Sequence, residues 1–158
     1  MNDVHVKYGR GRSAVFALRG ISLSVEVGSI YGILGPSGCG KTSVLNCCLG
    51  LLNPDSGSVK VFGHSPRTPG LGVPGPTVGF MPQDHTLHQY FNALEILSYY
   101  CTIFRVDGPL LKSRRILQLL DLWNGKIEHR QLTHLSGGQR RRVSLACAMV
   151  HEPSILIL

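Results

Sequence analysis

The sequence predicts an α/β fold, and three observations carry that expectation. Gly35, Pro36, Ser37, Gly38, Cys39, Gly40, Lys41, Thr42 and Ser43 form a glycine-rich run containing the phosphate-loop pattern G-x-x-x-x-G-K-[ST]. Residues 30–34 before it (I-Y-G-I-L) read as a short buried strand, and residues 44–52 after it are apolar and helix-compatible. From Asn92 onward the apolar spacing changes from alternation to a helical period. The expected architecture is a strand–loop–helix core with antiparallel strands ahead of it and an inserted helical portion behind it.

Taken in order, residues 3–8 place Val4, Val6 and Tyr8 on one face, and residues 20–27 place Ile21, Leu23, Val25 and Val27 likewise. Both read as half-buried strands, joined by a basic turn at residues 9–13. Residues 53–57 (N-P-D-S-G) are a dense turn signal before a strand at 58–62. Residues 63–76 hold four prolines among several glycines, so no regular element forms there and an exposed insertion is expected. Residues 77–81 read as a strand ending at Pro82 and Gln83. Asn92 and Glu95 suit a capping box opening a helix with Leu94, Leu97, Cys101 and Phe104 at helical spacing. Pro109 suits the first turn of a second helix, running to about Trp123 and burying Leu110, Leu117 and Leu120. A third helix begins at Ser136 or Gly137 and reaches about His151, and residues 154–158 (S-I-L-I-L) close on an apolar strand.

Composition narrows the function. The 158 residues suit one domain, and a 43% hydrophobic fraction suits a globular core. No run approaches the ~18 apolar residues of a membrane span, and the N-terminus lacks a signal-peptide pattern. Five cysteines without a C-x-x-C pair fit reduced, buried thiols. His85 and His88 can share a helical face, but no further ligand spacing supports a metal there. The net charge of +7 gathers at Arg10 and Arg12, at Lys112 to Arg115 and at Arg140 to Arg142. No aromatic residues interleave with these clusters, so they read as solvated faces and an anionic nucleotide partner, with no nucleic acid.

The loop's residue types explain its chemistry. Gly35, Gly38 and Gly40 let backbone N–H groups come against phosphate oxygens. Lys41 reaches the β- and γ-phosphates, the Thr42 hydroxyl can hold Mg²⁺, and Ser43 can contact the α-phosphate. A second motif follows: Leu135, Ser136, Gly137, Gly138 and Gln139 read L-S-G-G-Q at a helix entrance, where backbone N–H groups meet an anion at the helix's positive end.

The two motifs in this order resemble the nucleotide-binding domain of ATP-binding cassette (ABC) proteins, across the whole chain. The resemblance implies a P-loop NTPase core of the ABC ATPase type, with residues 1–91 and 135–158 as ATPase core and 92–134 as helical subdomain. It implies ATP and Mg²⁺ as cofactors. Gln83, in M-P-Q after a strand, resembles the glutamine that contacts Mg²⁺ and the attacking water and couples to the membrane domain. Tyr8 resembles the aromatic that stacks on adenine, with Phe16 as the competing residue. Residues 154–158 resemble the Walker B strand. The family then carries an aspartate and a glutamate, and the chain stops before both. The resemblance therefore implies an incomplete domain at 1–158, nearly inactive alone.

The glycine- and proline-rich approach to Gln83, and R-R-R-V-S-L-A after the signature, look like the G/H-type half-transporters, closest to the arthropod H type. That implies a transmembrane domain on the same parent chain, a second nucleotide-binding domain packed head to tail (the same or a different chain), and residence on the cytoplasmic face of a membrane, the plasma membrane in the parent. It implies ATP-driven export of a hydrophobic or lipid substrate. Two other readings compete. One is a soluble ABC ATPase of translation or DNA maintenance; the spacing of about fifty residues between Gln83 and Leu135 is too short for the long coiled coil of the chromosome-maintenance type. The other is a non-catalytic nucleotide-binding module, which the intact Lys41, Thr42, Gln83 and L-S-G-G-Q oppose.

Overall fold

Alternation of valines builds the first part of the molecule. The computed structural model describes residues 1–9, 11–83, 87–88 and 90–158, with Arg12 described by its backbone alone. The chain divides into two compact units, Met1–Gly75 and Pro76–Leu158. In the first, β1 (Asn2–Tyr8) buries Val4 and Val6 against Leu18, Val44, Cys47 and Val59. It lies between β2 (Val15–Ile21) and β3 (Ser56–Ser58) in an antiparallel sheet of order β2-β1-β3. The turn into β3 is fixed on β1: Lys7 N–H donates to Asp55 Oδ2 at 2.6 Å, and Asp55 N–H donates to the His5 carbonyl at 2.9 Å. Gly57 takes φ +84°, and a Cβ there would meet the Asp3 carbonyl oxygen at 2.2 Å, so this crossing requires glycine. Helix α1 (Lys41–Cys48) packs its Val44 and Cys47 under the sheet.

Three expected strands differ. The run at 20–27 is a strand only as far as Ile21. Leu23 still exchanges backbone hydrogen bonds with Met1, at 2.9 and 3.2 Å, and past that pair β1 offers no further partner. Residues 30–34 form no strand. Ile30 and Leu34 are fully exposed, because a buried parallel strand needs ladder partners and the antiparallel sheet of this unit supplies none. In exchange the structure contains β2, which lacks clean alternation: Val15 and Phe16 are exposed and only Leu18 is buried. The strand expected at 58–62 is shorter and earlier, at β3, with Val59 and Val61 still buried.

In the second unit, β4 (Val78–Phe80) and β5 (Ile155–Ile157) pair in parallel, Val78 opposite Ile155 and Phe80 opposite Ile157. Helices α2 (Ala93–Ile103), α3 (Pro109–Leu119) and α4 (Gly137–Met149) enclose a core containing Leu97, Leu117, Leu122, Leu132, Val143 and Val150. The expected capping box is present: Glu95 N–H donates to Asn92 Oδ1 at 2.9 Å, and Asn92 N–H donates to Glu95 Oε2 at 2.8 Å. Helix α3 ends before Trp123. Asp121 takes a left-handed φ of +53°, and Leu122 N–H turns back onto the Leu117 carbonyl at 2.8 Å, a Schellman-type stop made without glycine. Leu110 is exposed rather than buried, while Ile116 takes the core position. Beside α4, His151 donates from Nε2 to the Val78 carbonyl at 3.2 Å and stacks on Phe104, which ties the end of α4 to β4. Of the sequence readings above, the roles of Arg10 and His85 lie outside the described residues.

One buried charge organises the loop between α3 and α4. Glu128 is 1% exposed and accepts backbone N–H bonds from Asn124 and Gly125, at 3.2 and 2.8 Å. Burial pushes its carboxyl pKa up, but the backbone N–H donors, with His129 nearby, outweigh it and hold it below the ordinary carboxylate value. A depressed folded-state pKa stabilises above the unfolded value and loses that contribution as pH falls. Glu128→Gln is therefore expected to cost about 1–3 kcal/mol at neutral pH. Its deficit should shrink as pH falls below 4.5, read as convergence of wild-type and variant melting curves.

Candidate functional site

The phosphate loop leads into α1 in the first unit. Gly38 and Gly40 take φ +80° and +97°, and a Cβ on Gly40 would meet the Ala17 carbonyl oxygen at 2.4 Å. Gly40 is the N-cap of α1 and offers no side chain to its first-turn N–H groups. Those donors are thus left for an external acceptor. Lys41 folds back over the loop: its Nζ donates to the carbonyls of Gly35 and Pro36, each at 2.8 Å, and lies 3.7 Å from Cys39 Sγ. Two acceptors in the loop therefore hold the ammonium where phosphate oxygens can replace them. The Thr42 side chain is exposed and free to meet a cation, and Ser43 is buried. The donor set fits a magnesium–nucleotide: a cation, free helix amides, an exposed hydroxyl, and glycines where a Cβ would collide.

Tyr8 and Phe16 are distinguished by their neighbours. The Tyr8 hydroxyl shares a hydrogen bond with Ser43 Oγ at 3.2 Å, which brings the Tyr8 ring beside the loop. The Phe16 ring instead carries Lys7 Nζ at 4.5 Å and the Arg19 guanidinium at 5.3 Å from its centroid.

Gln83 and the L-S-G-G-Q run belong to the second unit. Leu135 is buried and anchors the run, while Ser136, Gly137 and Gly138 are exposed. Ser136 and Gln139 form a capping box: Gln139 N–H donates to Ser136 Oγ at 3.1 Å and Ser136 N–H to Gln139 Oε1 at 2.9 Å. Gln139 N–H is thus taken by the cap, while nothing stands within 4 Å of a Cβ built on Gly137 or Gly138, which leaves the approach to those two residues open. Gln83 is exposed.

Sequence reading missed the role of the arginines after the signature. Arg140 donates to the Leu135 carbonyl at 2.8 Å, Arg141 to the Gln83 carbonyl at 3.1 Å, and Arg142 to the Leu120 carbonyl, the C-cap of α3, at 2.9 Å. These side chains tie three segments to α4. The signal was available in the placement of the basic triplet: three successive helical positions point in three directions, so they cannot form one solvated face.

The family model described as ABC transporter matches residues 18–158. The chain belongs to the ABC transporter family. It is 38% identical, over its full length, to ABC transporter G family member 23 of Dictyostelium discoideum, covering 22% of that protein. It is 39% identical over 94% of its length to G family member 20 of the same organism, covering 20%. A probable multidrug ABC transporter ATP-binding protein, YbhF of Escherichia coli, is 34% identical over 90% of this chain and 24% of its own length. The chain thus spans about a fifth of the length of these curated relatives. Among solved structures it matches the dimeric ATP-binding cassette MJ0796 in a post-hydrolysis state with ADP and Pi, with TM-score 0.81 and 27% identity over 98% of this chain and 70% of that one. The α/β architecture is that of an ABC ATPase cassette, and the chain is an ABC transporter ATP-binding domain. ATP hydrolysis is an activity of this family. Among the described residues no helix is long and apolar enough to cross a membrane.

The cysteines separate sharply in this ATPase domain. Cys147 is buried, and burial, with Cys101 nearby, pushes its thiol up to about 12. Burial likewise raises Cys47, Cys48 and Cys101. Cys39 is exposed on the loop, contrary to the expectation of uniformly buried thiols. Maleimide should therefore label Cys39 at least ~10-fold faster than Cys147, and Mg–ATP should slow only the Cys39 reaction, as read by peptide mass spectrometry.

Proposed function

We propose that this domain is the ATP-binding and ATP-hydrolysing part of a G/H-type ABC half-transporter, closest to the arthropod H type, and that ATP is held between two such domains packed head to tail. What supports the reading is the contrast between two helix starts, one after the glycine loop and one after the signature. The loop offers a cation, an uncapped helix start and an exposed hydroxyl, whereas the signature offers an open, glycine-lined helix start. Lys41, Thr42 and Gln83 serve one ATP, while Ser136, Gly137, Gly138 and Gln139 close on the ATP of the second domain.

Phosphoryl transfer asks the protein for positioning and charge stabilisation more than covalent chemistry. Lys41 exchanges its loop carbonyls for β- and γ-phosphate oxygens. The amides of α1 and the loop donate to the phosphates, with Pro36, Ser37 and Cys39 shaping the turn. Thr42 and Gln83 would hold Mg²⁺, which would supply positive charge to offset the phosphates. Tyr8, already beside Ser43, stacks on adenine. The reading calls for a carboxylate to polarise the attacking water. It places the domain on the cytoplasmic face of the plasma membrane, joined to a transmembrane domain that exports a hydrophobic or lipid substrate.

Lys41→Ala in the full-length protein is expected to lower ATP turnover at least about 100-fold. Lys41 is half-buried and its two partners are loop carbonyls that water can reach, so folding stability should fall by no more than about 1.5 kcal/mol. Phosphate release and thermal melting measured together check both; undiminished turnover in the variant would refute the assignment.

A further inference from the structure

We propose that Ser65 is a phosphorylation site, and that the cavity beside the glycine- and proline-rich insertion receives its phosphate. The inference goes beyond the function proposed above and does not depend on it. The insertion at residues 63–76 contains no helix or named strand, yet it is held in place. Val61 and His64 exchange backbone hydrogen bonds at 2.7 and 3.0 Å, and Arg67 N–H donates to the Val73 carbonyl at 2.7 Å. Val73 is buried. A Cβ built on Gly50, just past α1, would meet Pro66 Cβ and Arg67 Cγ at 2.9 Å, so the insertion packs on the end of that helix. The Arg67 guanidinium donates to Asn53 Oδ1. A cavity of about 310 Å³ in the first unit is lined by Asn53, Ser58, Lys60, Ser65 and Arg67 among others.

The lining carries two cations and no carboxylate. Among the described residues Lys60 makes no ion pair and donates no side-chain hydrogen bond, and Arg67 uses one N–H on Asn53 and keeps the others. Two such cations suit a dianion with several acceptor oxygens. Ser65 supplies the place to attach one. It is exposed, its hydroxyl has no hydrogen-bond partner among the described residues, and Pro66 follows it directly. Serine followed by proline is the pattern that proline-directed kinases take, and the proline ring keeps Ser65 out of helical backbone. Thr68 precedes Pro69 in the same way, but it is half-buried and its Oγ1 donates to the Ser65 carbonyl at 2.6 Å. Ser65 is therefore available where Thr68 is engaged. In the transfer, Ser65 Oγ bonds to the γ-phosphorus of ATP held by the kinase, the bond to the ADP oxygen breaks, and the hydroxyl proton passes to the kinase's base. The product places about two negative charges on the cavity that Lys60 and Arg67 line, and so fastens the insertion to the segment that follows β3.

The test treats wild type, Ser65→Ala and Lys60→Gln with a proline-directed serine/threonine kinase and Mg–ATP, and removes nucleotide before melting. Peptide mass spectrometry should place phosphate on Ser65 in wild type and in Lys60→Gln, and leave Thr68 unmodified. Phosphorylated wild type should melt about 2–4 °C above its unmodified form. The rise should fall by at least about half in Lys60→Gln, which leaves the residues around Ser65 unchanged. Amide exchange in the peptide spanning residues 58–67 should slow in phosphorylated wild type and change less in Lys60→Gln. Absence of phosphate from Ser65 overturns the proposal, as does a melting temperature that phosphorylation leaves unchanged or a rise undiminished in Lys60→Gln. An equal rise when millimolar inorganic phosphate is added to the unmodified chain assigns the cavity to a free anion and overturns Ser65 as the source of the phosphate.

Discussion

Every helix begins with backbone N–H groups that its own hydrogen bonds cannot satisfy. This molecule answers that constraint in three ways. Helices α2 and α4 satisfy the donors with reciprocal capping boxes, Asn92 with Glu95 and Ser136 with Gln139. Helix α3 begins with Pro109, which has no N–H to satisfy. Helix α1 does neither: Gly40 precedes it in a left-handed conformation with no capping side chain. Its amides are left to an anion, and the neighbouring glycines keep Cβ atoms out of the way. On the function proposed above, phosphate would complete the helix start that Gly40 leaves uncapped.

The helices were legible in the sequence because their signals are local. Asn92, Glu95 and Pro109 announce helix starts within four residues, and Leu97 and Leu117 recur at the period the core demands. The glycine loop and L-S-G-G-Q were legible for the same reason, since each motif is a continuous run. Strands were harder because a strand exists only with a partner. Residues 30–34 are apolar enough for a buried strand, yet no described strand pairs with them. Val15 to Ile21 alternates poorly and still forms β2, because β1 lies alongside to receive it. The Schellman-type end of α3 was hidden because Asp121 takes a conformation that sequence rules reserve for glycine or asparagine.

Charge was the other misleading signal. A count of +7 with clustered arginines reads as a solvated or nucleotide-facing surface. In the folded chain the triplet at 140–142 is used differently, as donors to three carbonyls in three segments. Arginine suits this because its planar fork reaches past the helix backbone while its stem packs along it. The signature run and its arginine clasp are thus one mechanical element, since the helix that presents Ser136 also grips the signature loop, α3 and the Gln83 backbone.

The self-contact of Lys41 has a consequence for selectivity. An ammonium already held by two carbonyls at 2.8 Å gives up real hydrogen bonds to any newcomer. Any ligand that takes their place must supply at least two acceptors in exchange. A chain of phosphates offers many, and meets the amides of α1 at the same time. On the function proposed above, a single polyphosphate would replace both carbonyls and complete the uncapped helix start.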